Sequence, residues 1–300
     1  MRSEELFHPD GFHSSLLTTN FSLFPPPRGG WEGAGTTAKM KVTVLGSGTS
    51  TGVPQLGCRC MVCTSTDPRD RRYRCSSLVE VADDSAPDGV RRILIDCGPD
   101  FREQMLRINF QKLDAIFITH EHYDHVGGLD DLRPFSVFGD VVVYAEPFCA
   151  NHLRERIPYC FTPKERRYPG VPSIDLEDIL PHQPVHVGKV EVLPLRVMHG
   201  KLPILGFRIG NFAYITDMKT IDDTELPYLE GVETMILNAL RHETHPSHQT
   251  IEEAIAFSRR IGTPETYFIH MSHHTRPHAI EDASLPPHFH LAYDGLEIEI

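Results

Sequence analysis

The chain has 300 residues, 40% of them hydrophobic, with a formal net charge of −12 and a pI of about 5.8. That acidity argues against broad grip on nucleic acid or an anionic membrane and leaves room only for a local basic pocket, while no run approaches the roughly eighteen apolar residues of a membrane-spanning helix. Seven cysteines, three of them crowded into Cys58-Arg59-Cys60-Met61-Val62-Cys63, read as metal binding in a reducing, cytoplasmic setting rather than as a disulfide framework.

Residues 1–39 differ in character from the rest of the chain. They hold Pro25-Pro26-Pro27-Arg28-Gly29-Gly30 and the only tryptophan, Trp31, without a sustained hydrophobic period. This composition predicts a disordered extension ahead of a folded body over 40–300, with a natural start at Met40 as a second reading of the same tail. From Met40 onward, Val42 to Leu45, Leu78 to Val81, Ile93 to Ile95, Ala115 to Thr119 and Val141 to Tyr144 read as strands, and Phe101 to Arg107 as a short helix. Arg69, Arg71, Arg72 and Arg74 read as a solvated charged loop. Further on, Gly206 to Ile209 and Phe212 to Ile215 flank a Gly210-Asn211 hairpin turn, and Thr234 to Leu237 and Tyr267 to Ile269 bracket a helix over Thr250 to Ile261. Ser247 or Thr250 can cap that helix, and Asp294-Gly295 reads as a turn between short terminal strands. The pattern predicts an α+β fold, an αββα sandwich of two mixed β-sheets with outer helices, with a single parallel sheet as the alternative.

The most informative segment is Thr119-His120-Glu121-His122-Tyr123-Asp124-His125, which follows a buried apolar run and precedes Gly127-Gly128. An apolar strand breaking into a Gly-Gly turn would put three imidazoles and a carboxylate on one short loop, and borderline transition metals favour such ligands. His120 and His122 would share a face, with Asp124 and His125 swung to a neighbouring position, so two sets of donors imply two ions. His199, Asp217 and His270 each stand at the end of an apolar-patterned stretch. Each alone reads as a capping or hydrogen-bonding residue. Together with the first cluster they read as further ligands.

These residues resemble the metallo-β-lactamase fold hydrolases, whose T-H-x-H-x-D-H signature the segment matches without departure. The resemblance carries His120, His122 and His199 to one metal, Asp124, His125 and His270 to the other, and Asp217 to a bridging carboxylate. It makes Asp96, in Ile95-Asp96-Cys97-Gly98, the acidic residue that orients the site. Within that superfamily the chain is similar, from about Met40 to Ile300, to PhnP-type phosphodiesterases. The shared marks include Gly46-Ser47-Gly48-Thr49, the Cys-x-Cys-x-x-Cys element, His199-Gly200-Lys201-Leu202, His270-Met271-Ser272-His273 and Asp294-Gly295. In that group Cys58, Cys60 and Cys63 would hold a structural Zn²⁺ together with His273.

The resemblance implies a binuclear metal-dependent phosphodiesterase, with two divalent ions (Mn²⁺ or Zn²⁺) at the active site and one structural zinc. Two such ions can supply hydroxide at neutral pH and stabilise attacking and leaving oxygens. The expected substrate is a small cyclic phosphodiester, of the phosphoribosyl cyclic phosphate or 2′,3′-cyclic nucleotide type, and a homodimer is compatible with it. Asp124 and His248 are the expected catalytic residues, His248 because the resemblance places a catalytic histidine there and a leaving alkoxide needs a proton. His242 and His245 read as solvated surface neighbours. Lys201 is the candidate contact to a substrate phosphate, as a point charge beside His199. A tRNA 3′-processing endonuclease would share the core and His248 but should carry an extended basic arm, which is not evident here. Thioester, lactone or lactam hydrolysis on the same fold stays open, and a decayed, non-catalytic scaffold would have lost donors that are all present.

Overall fold

The computed structural model describes residues 39–300. The expected extension at 1–39 therefore lies outside the described residues, apart from Lys39, whose carbonyl accepts a hydrogen bond from Ala82 at 3.0 Å. The first half supplies β1 (Met40–Gly46), β2 (Ser76–Ala82), β3 (Val90–Ile95), β4 (Ala115–Phe117), β5 (Val141–Ala145) and β6 (Ile174–Asp178). The second supplies β7 (Val185–Val187), β8 (Val190–His199), β9 (Leu202–Ile209), β10 (Phe212–Ile215), β11 (Thr234–Asn238), β12 (Glu265–Ile269) and β13 (Phe289–Leu291). A last strand, β14 (Glu297–Glu299), returns to the first half, giving two mixed sheets of seven strands ordered β14-β1-β2-β3-β4-β5-β6 and β13-β12-β11-β10-β9-β8-β7. The alternative of a single parallel sheet does not hold.

Strict alternation along the strands builds the layers, because successive side chains point to opposite faces. Ile93, Ile95, Ala115 and Phe117 face Val192, Phe207, Tyr214 and Ile236 across the space between the sheets. Leu94 and Ile116, the residues between them in sequence, turn outward onto Phe101, Leu129 and Leu153. These belong to the layer that contains α1 (Phe101–Met105), α2 (Tyr123–Val126) and α3 (Pro147–Arg156). On the opposite outer face Ile251, Ala254 and Phe257 of α4 (Ile251–Ile261) pack with Leu237 and Phe268. The order of layers is thus helix, sheet, sheet, helix.

Both sheets change direction at the same place. β1, β2 and β3 pair antiparallel and β3 to β6 parallel; β7 to β10 pair antiparallel and β10 to β13 parallel. The carboxyl ends of the parallel strands carry Asp96, Thr119, Asp217 and His270, the edge at which parallel sheets generally present ligand sites.

Local signals account for several boundaries and correct others. Thr250, not Ser247, caps α4: its hydroxyl accepts from the Glu253 N–H at 3.1 Å, while Glu253 accepts from the Thr250 N–H at 2.9 Å. The helix expected to Arg107 ends at Met105, and the strand expected to Thr119 ends at Phe117. Gly127-Gly128 is not a tight turn but follows the helical turn α2, and its role is close packing, since a Cβ on Gly128 would lie 2.2 Å from the Gly98 carbonyl oxygen. The Asp294-Gly295 turn joins strands of different sheets, and the Asp294 carboxylate is anchored by the Ser47 N–H and hydroxyl and the Tyr73 N–H, at 2.7–2.9 Å.

The arginine run is solvated only in part, with Arg71 exposed. Arg72 is buried and donates to Ser47, the Ala292 carbonyl and His278 Nδ1. Arg69 and Arg74 pair with Asp67 and Asp100. For Arg72 and Arg74 partners distant in sequence took up charges that composition alone left to water.

Candidate metal centre

Three of the site's residues sit where the backbone turns left-handed just beyond a strand: Asp96 with φ 61°, Asp217 with φ 56° and His270 with φ 58°. Such conformations are uncommon for residues other than glycine and concentrate at functional sites. At Asp217 the cause is visible, because the buried Asn238 side chain holds the next residue by both backbone groups, accepting from the Met218 N–H at 2.8 Å and donating to its carbonyl at 2.9 Å. At Asp96 the backbone is held by Phe117, which accepts from the Asp96 N–H at 2.9 Å. Gly98 adds a close approach, since a Cβ there would meet the Asp124 carbonyl at 2.1 Å.

The side chains converge in groups. His120, His122 and His199 offer ligand atoms within 4.8 Å of one another, as do Asp124, His125, Asp217 and His270. A third set at the same spacing, His199, Asp217 and His248, ties these groups together. His120 Nε2 lies 2.9 Å from His122 Nδ1. His125 Nε2 is 3.2 Å from both Asp124 and Asp217, and His270 Nε2 is 3.1 Å from Asp217. His120, Asp124, His125, Asp217, His248 and His270 are buried.

Outer contacts orient these rings, as partners of metal-ligating histidines commonly do. Asp96 takes the Thr119 N–H at 2.8 Å and its hydroxyl at 3.0 Å, and holds His125 Nδ1 at 2.7 Å. The Thr119 hydroxyl is also 3.0 Å from His120 Nδ1. His199 donates from Nδ1 to the Ser247 carbonyl at 2.9 Å. In each of these three rings one nitrogen is occupied at the back. The orienting roles of Thr119, Asn238 and Ser247 escaped sequence reasoning, although Thr119 opens the matched signature, since a hydroxyl, an amide or a carbonyl beside a histidine does not announce what it aims.

The electrostatics call for positive charge. Burial opposes charging His125, yet Asp124, Asp96 and Asp217 outweigh it and hold the imidazole well above its ordinary range. Burial likewise opposes ionised Asp217, but His270 and His125 keep its carboxyl well below the usual carboxylate range. Burial and the charge on His125 hold His120 well below its ordinary range, as a neutral ligand requires. Among the described residues, His125 Nε2, both nitrogens of His270 and His248 Nδ1 are buried without a hydrogen-bond partner. Buried polar atoms are seldom left so, and orphaned nitrogens among carboxylates fit divalent cations.

His248 lies against this group, its ring centroid 4.6 Å from that of His199 and 4.7 Å from that of His270. Lys201 is exposed in the turn between β8 and β9, two residues beyond His199. His242 and His245 are not simply solvated. His242 bridges Glu252 at 2.6 Å and Glu281 at 3.0 Å, and the His245 ring lies 4.9 Å from that of His248. Their spacing of three residues with His248 was the available signal.

A second cluster lies three residues beyond His270. Cys58, Cys60, Cys63 and His273 offer ligand atoms within 4.8 Å of one another, with His273 Nδ1 3.2 Å from Cys58 Sγ and 3.5 Å from Cys60 Sγ. Backbone N–H groups of Cys60, Cys63 and Gln55 point at the three sulfurs at 3.3–3.5 Å. Burial raises the Cys60 thiol, but the Cys63 N–H and His273 prevail and bring it down to about 6. All seven cysteines are free thiols. Four soft and imidazole donors with N–H groups on the sulfurs fit a closed tetrahedral zinc site.

Residues 91–271 match the Beta-lactamase superfamily domain, and with the two seven-stranded sheets this places the chain in the metallo-β-lactamase superfamily. Among solved structures, one described as a new diphosphatase from the PhnP family is similar at 38% identity and a TM-score of 0.78, covering 87% of this chain and 97% of that one. Zn(2+)-bound PqqB from Methylobacterium extorquens, at 21% identity, a TM-score of 0.69 and coverage of 87% and 100%, shares the fold. A Porphyromonas gingivalis protein named octanoyltransferase is 48% identical over 259 residues, 86% of this chain and 51% of its own length. This chain thus spans about half of that relative. Among the described residues no helix is long and apolar enough to cross a membrane.

Proposed function

We propose that the chain is a binuclear metal-dependent phosphodiesterase acting on a small cyclic phosphodiester of the phosphoribosyl or cyclic nucleotide kind, in the cytoplasm. The observation that carries this reading is the adjacency of two donor groups through Asp217 and His199, with His248 beside both. The similarity to a PhnP-family protein over nearly its whole length supports the phosphoryl substrate. His120, His122 and His199 would hold one ion, Asp124, His125 and His270 the other, and Asp217 would bridge. Such a pair of divalent ions, Mn²⁺ or Zn²⁺, supplies Lewis acidity toward a phosphoryl oxygen and lowers the pKa of water toward neutrality. Cys58, Cys60, Cys63 and His273 would hold a structural Zn²⁺.

The remaining work falls to this chain's own side chains. Asp96 keeps the Nδ1 of His125 occupied, so that Nε2 faces the carboxylates. His248 is the proton donor to the leaving oxygen. Burial and His270 push its imidazole below the ordinary range, and an anionic phosphodiester seated beside it would act in the opposite sense. Lys201 meets the substrate phosphate at the rim.

Diphosphate hydrolysis is a second reading, favoured by the name of the similar PhnP-family structure. The octanoyltransferase name belongs to a protein of which the match covers only about half, and acyl esters and thioesters enter as controls. Protein of known metal content should be assayed on cyclic and linear phosphodiesters, diphosphates, thioesters and lactams. The cyclic phosphodiester should give the highest kcat/KM, lost on chelation and restored by Mn²⁺ or Zn²⁺. A diphosphate or thioester turned over faster would displace the reading.

A further inference from the structure

His242, His245 and His248 recur at three-residue spacing between β11 and α4, and the fold gives each a different task. His242 clamps the segment to Glu252 at the start of α4 and to the buried Glu281 of α5 (His278–Asp282). His248 is buried against the donor groups. His245 lies between these two in sequence, half-buried, its ring tilted 34° to that of His248.

The contacts of His245 favour one tautomer. The Ser247 backbone N–H, which can only donate, approaches His245 Nδ1 at 3.4 Å, with the Ser247 hydroxyl at 3.2 Å. Nδ1 is therefore the acceptor, and the neutral ring carries its proton on Nε2. Among the described residues no group takes that Nε2–H. The rings of His270, His248 and His245 follow one another at 4.7 and 4.9 Å, and their burial falls along the series from 1% exposed at His270 to 8% at His248 and half-buried at His245. His122 opens the donor groups to solvent on one side, and on the side of His248 the next ring outward is His245.

We propose that His245 is a substrate-contacting, specificity-determining residue whose Nε2–H binds a hydroxyl or phosphate oxygen on the sugar that carries the leaving oxygen. The assignment rests on the phosphodiesterase reading, because it places the sugar beyond the oxygen that His248 serves. A group attached to that oxygen extends toward solvent, and His245 is the next donor it meets. An aryl ester without such oxygens offers His245 nothing to bind.

The test compares a ribosyl cyclic phosphodiester with bis(4-nitrophenyl) phosphate on metal-loaded parent protein, His245→Ala and His245→Gln, with bound metal measured in each. His245→Ala should lower kcat/KM about tenfold on the ribosyl ester, the loss of one hydrogen bond, mainly through KM. Turnover of the aryl ester should be unchanged, metal content should match the parent, and His245→Gln, which keeps an N–H donor, should recover most of the loss. No loss on either ester overturns the assignment. Equal losses on both overturn it as well, and reduced metal content in that case would make His245 a support for Ser247 and His199. A parent protein that hydrolyses neither ester removes the phosphodiesterase reading itself, and this assignment with it.

Discussion

Asp96 and Asp217 occupy the same kind of place in the two sheets. Each follows a strand that pairs antiparallel on one side and parallel on the other, β3 in one case and β10 in the other. Each has left-handed backbone, and each is buried. Their surroundings differ. The oxygens of Asp96 are taken by Thr119 and His125, and burial raises its carboxyl above the ordinary range. Those of Asp217 lie against the nitrogens of His125, His270 and, at 3.6 Å, His248. Two equivalent strand ends thus serve different ends: one carboxylate is used inside the protein to aim a ring, and the other is offered toward a cation.

The sharpest way to break this contrast is Asp217→Ala. It should abolish hydrolysis and reduce bound metal in both donor groups, because one carboxylate is proposed to bridge them. Metal analysis and turnover both equal to the parent would remove the two-ion reading.

His248→Ala should keep its ions and lose about a hundredfold to ten-thousandfold in kcat on an alkyl or ribosyl cyclic phosphodiester, the usual contribution of general acid catalysis. The loss should shrink on a nitrophenyl ester or a diphosphate, whose leaving groups depart without a proton. Equal losses on both kinds of substrate, with metal intact, would assign His248 to phosphate positioning instead.

Asp96→Asn probes the other side of the comparison. It preserves size but exchanges a carboxylate for an amide behind His125, and metal affinity should fall about tenfold to a hundredfold, as for other outer partners of ligating histidines. A titration that shows total loss of metal would make Asp96 a ligand in its own right.

Cys60→Ser carries the smallest expected effect on catalysis. Zinc content should fall by about one ion per chain and the protein should lose stability, since structural zinc contributes directly to folding. The correctly folded fraction should keep its active-site ions. The thiol cluster is tied to the active site, however, because its His273 stands three residues past His270. Zinc content equal to the parent would leave the cluster as free thiols.

Much of this was legible in the sequence where chemistry and position coincide locally. The segment from Thr119 to His125 declares its donors by type and spacing, and the strand ends at Asp217 and His270 follow from apolar runs that stop abruptly. The start of α4 was legible to within the choice of Ser247 or Thr250, which the reciprocal bonds of Thr250 with Glu253 decide. Boundaries that depend on neighbours were not. β4 is short because the chain leaves the ladder to place Thr119 under Asp96, 23 residues away in sequence.

The sequence by itself determined which atoms could bind cations, in two sets, and that alternating strands would bury one face against another. Those properties rest on side-chain chemistry and on the two-residue period of a strand, both written locally. Only the tertiary structure decided that the ends of β4, β8, β10 and β12 meet, that Arg72 is buried, and that β14 joins the first sheet. It also decided that the Ser247 carbonyl, 48 residues away, orients His199, and that His273 joins Cys58 across 215 residues. Such contacts depend on how two sheets stack, and no local pattern encodes the distance between residues that the chain brings together only when it closes.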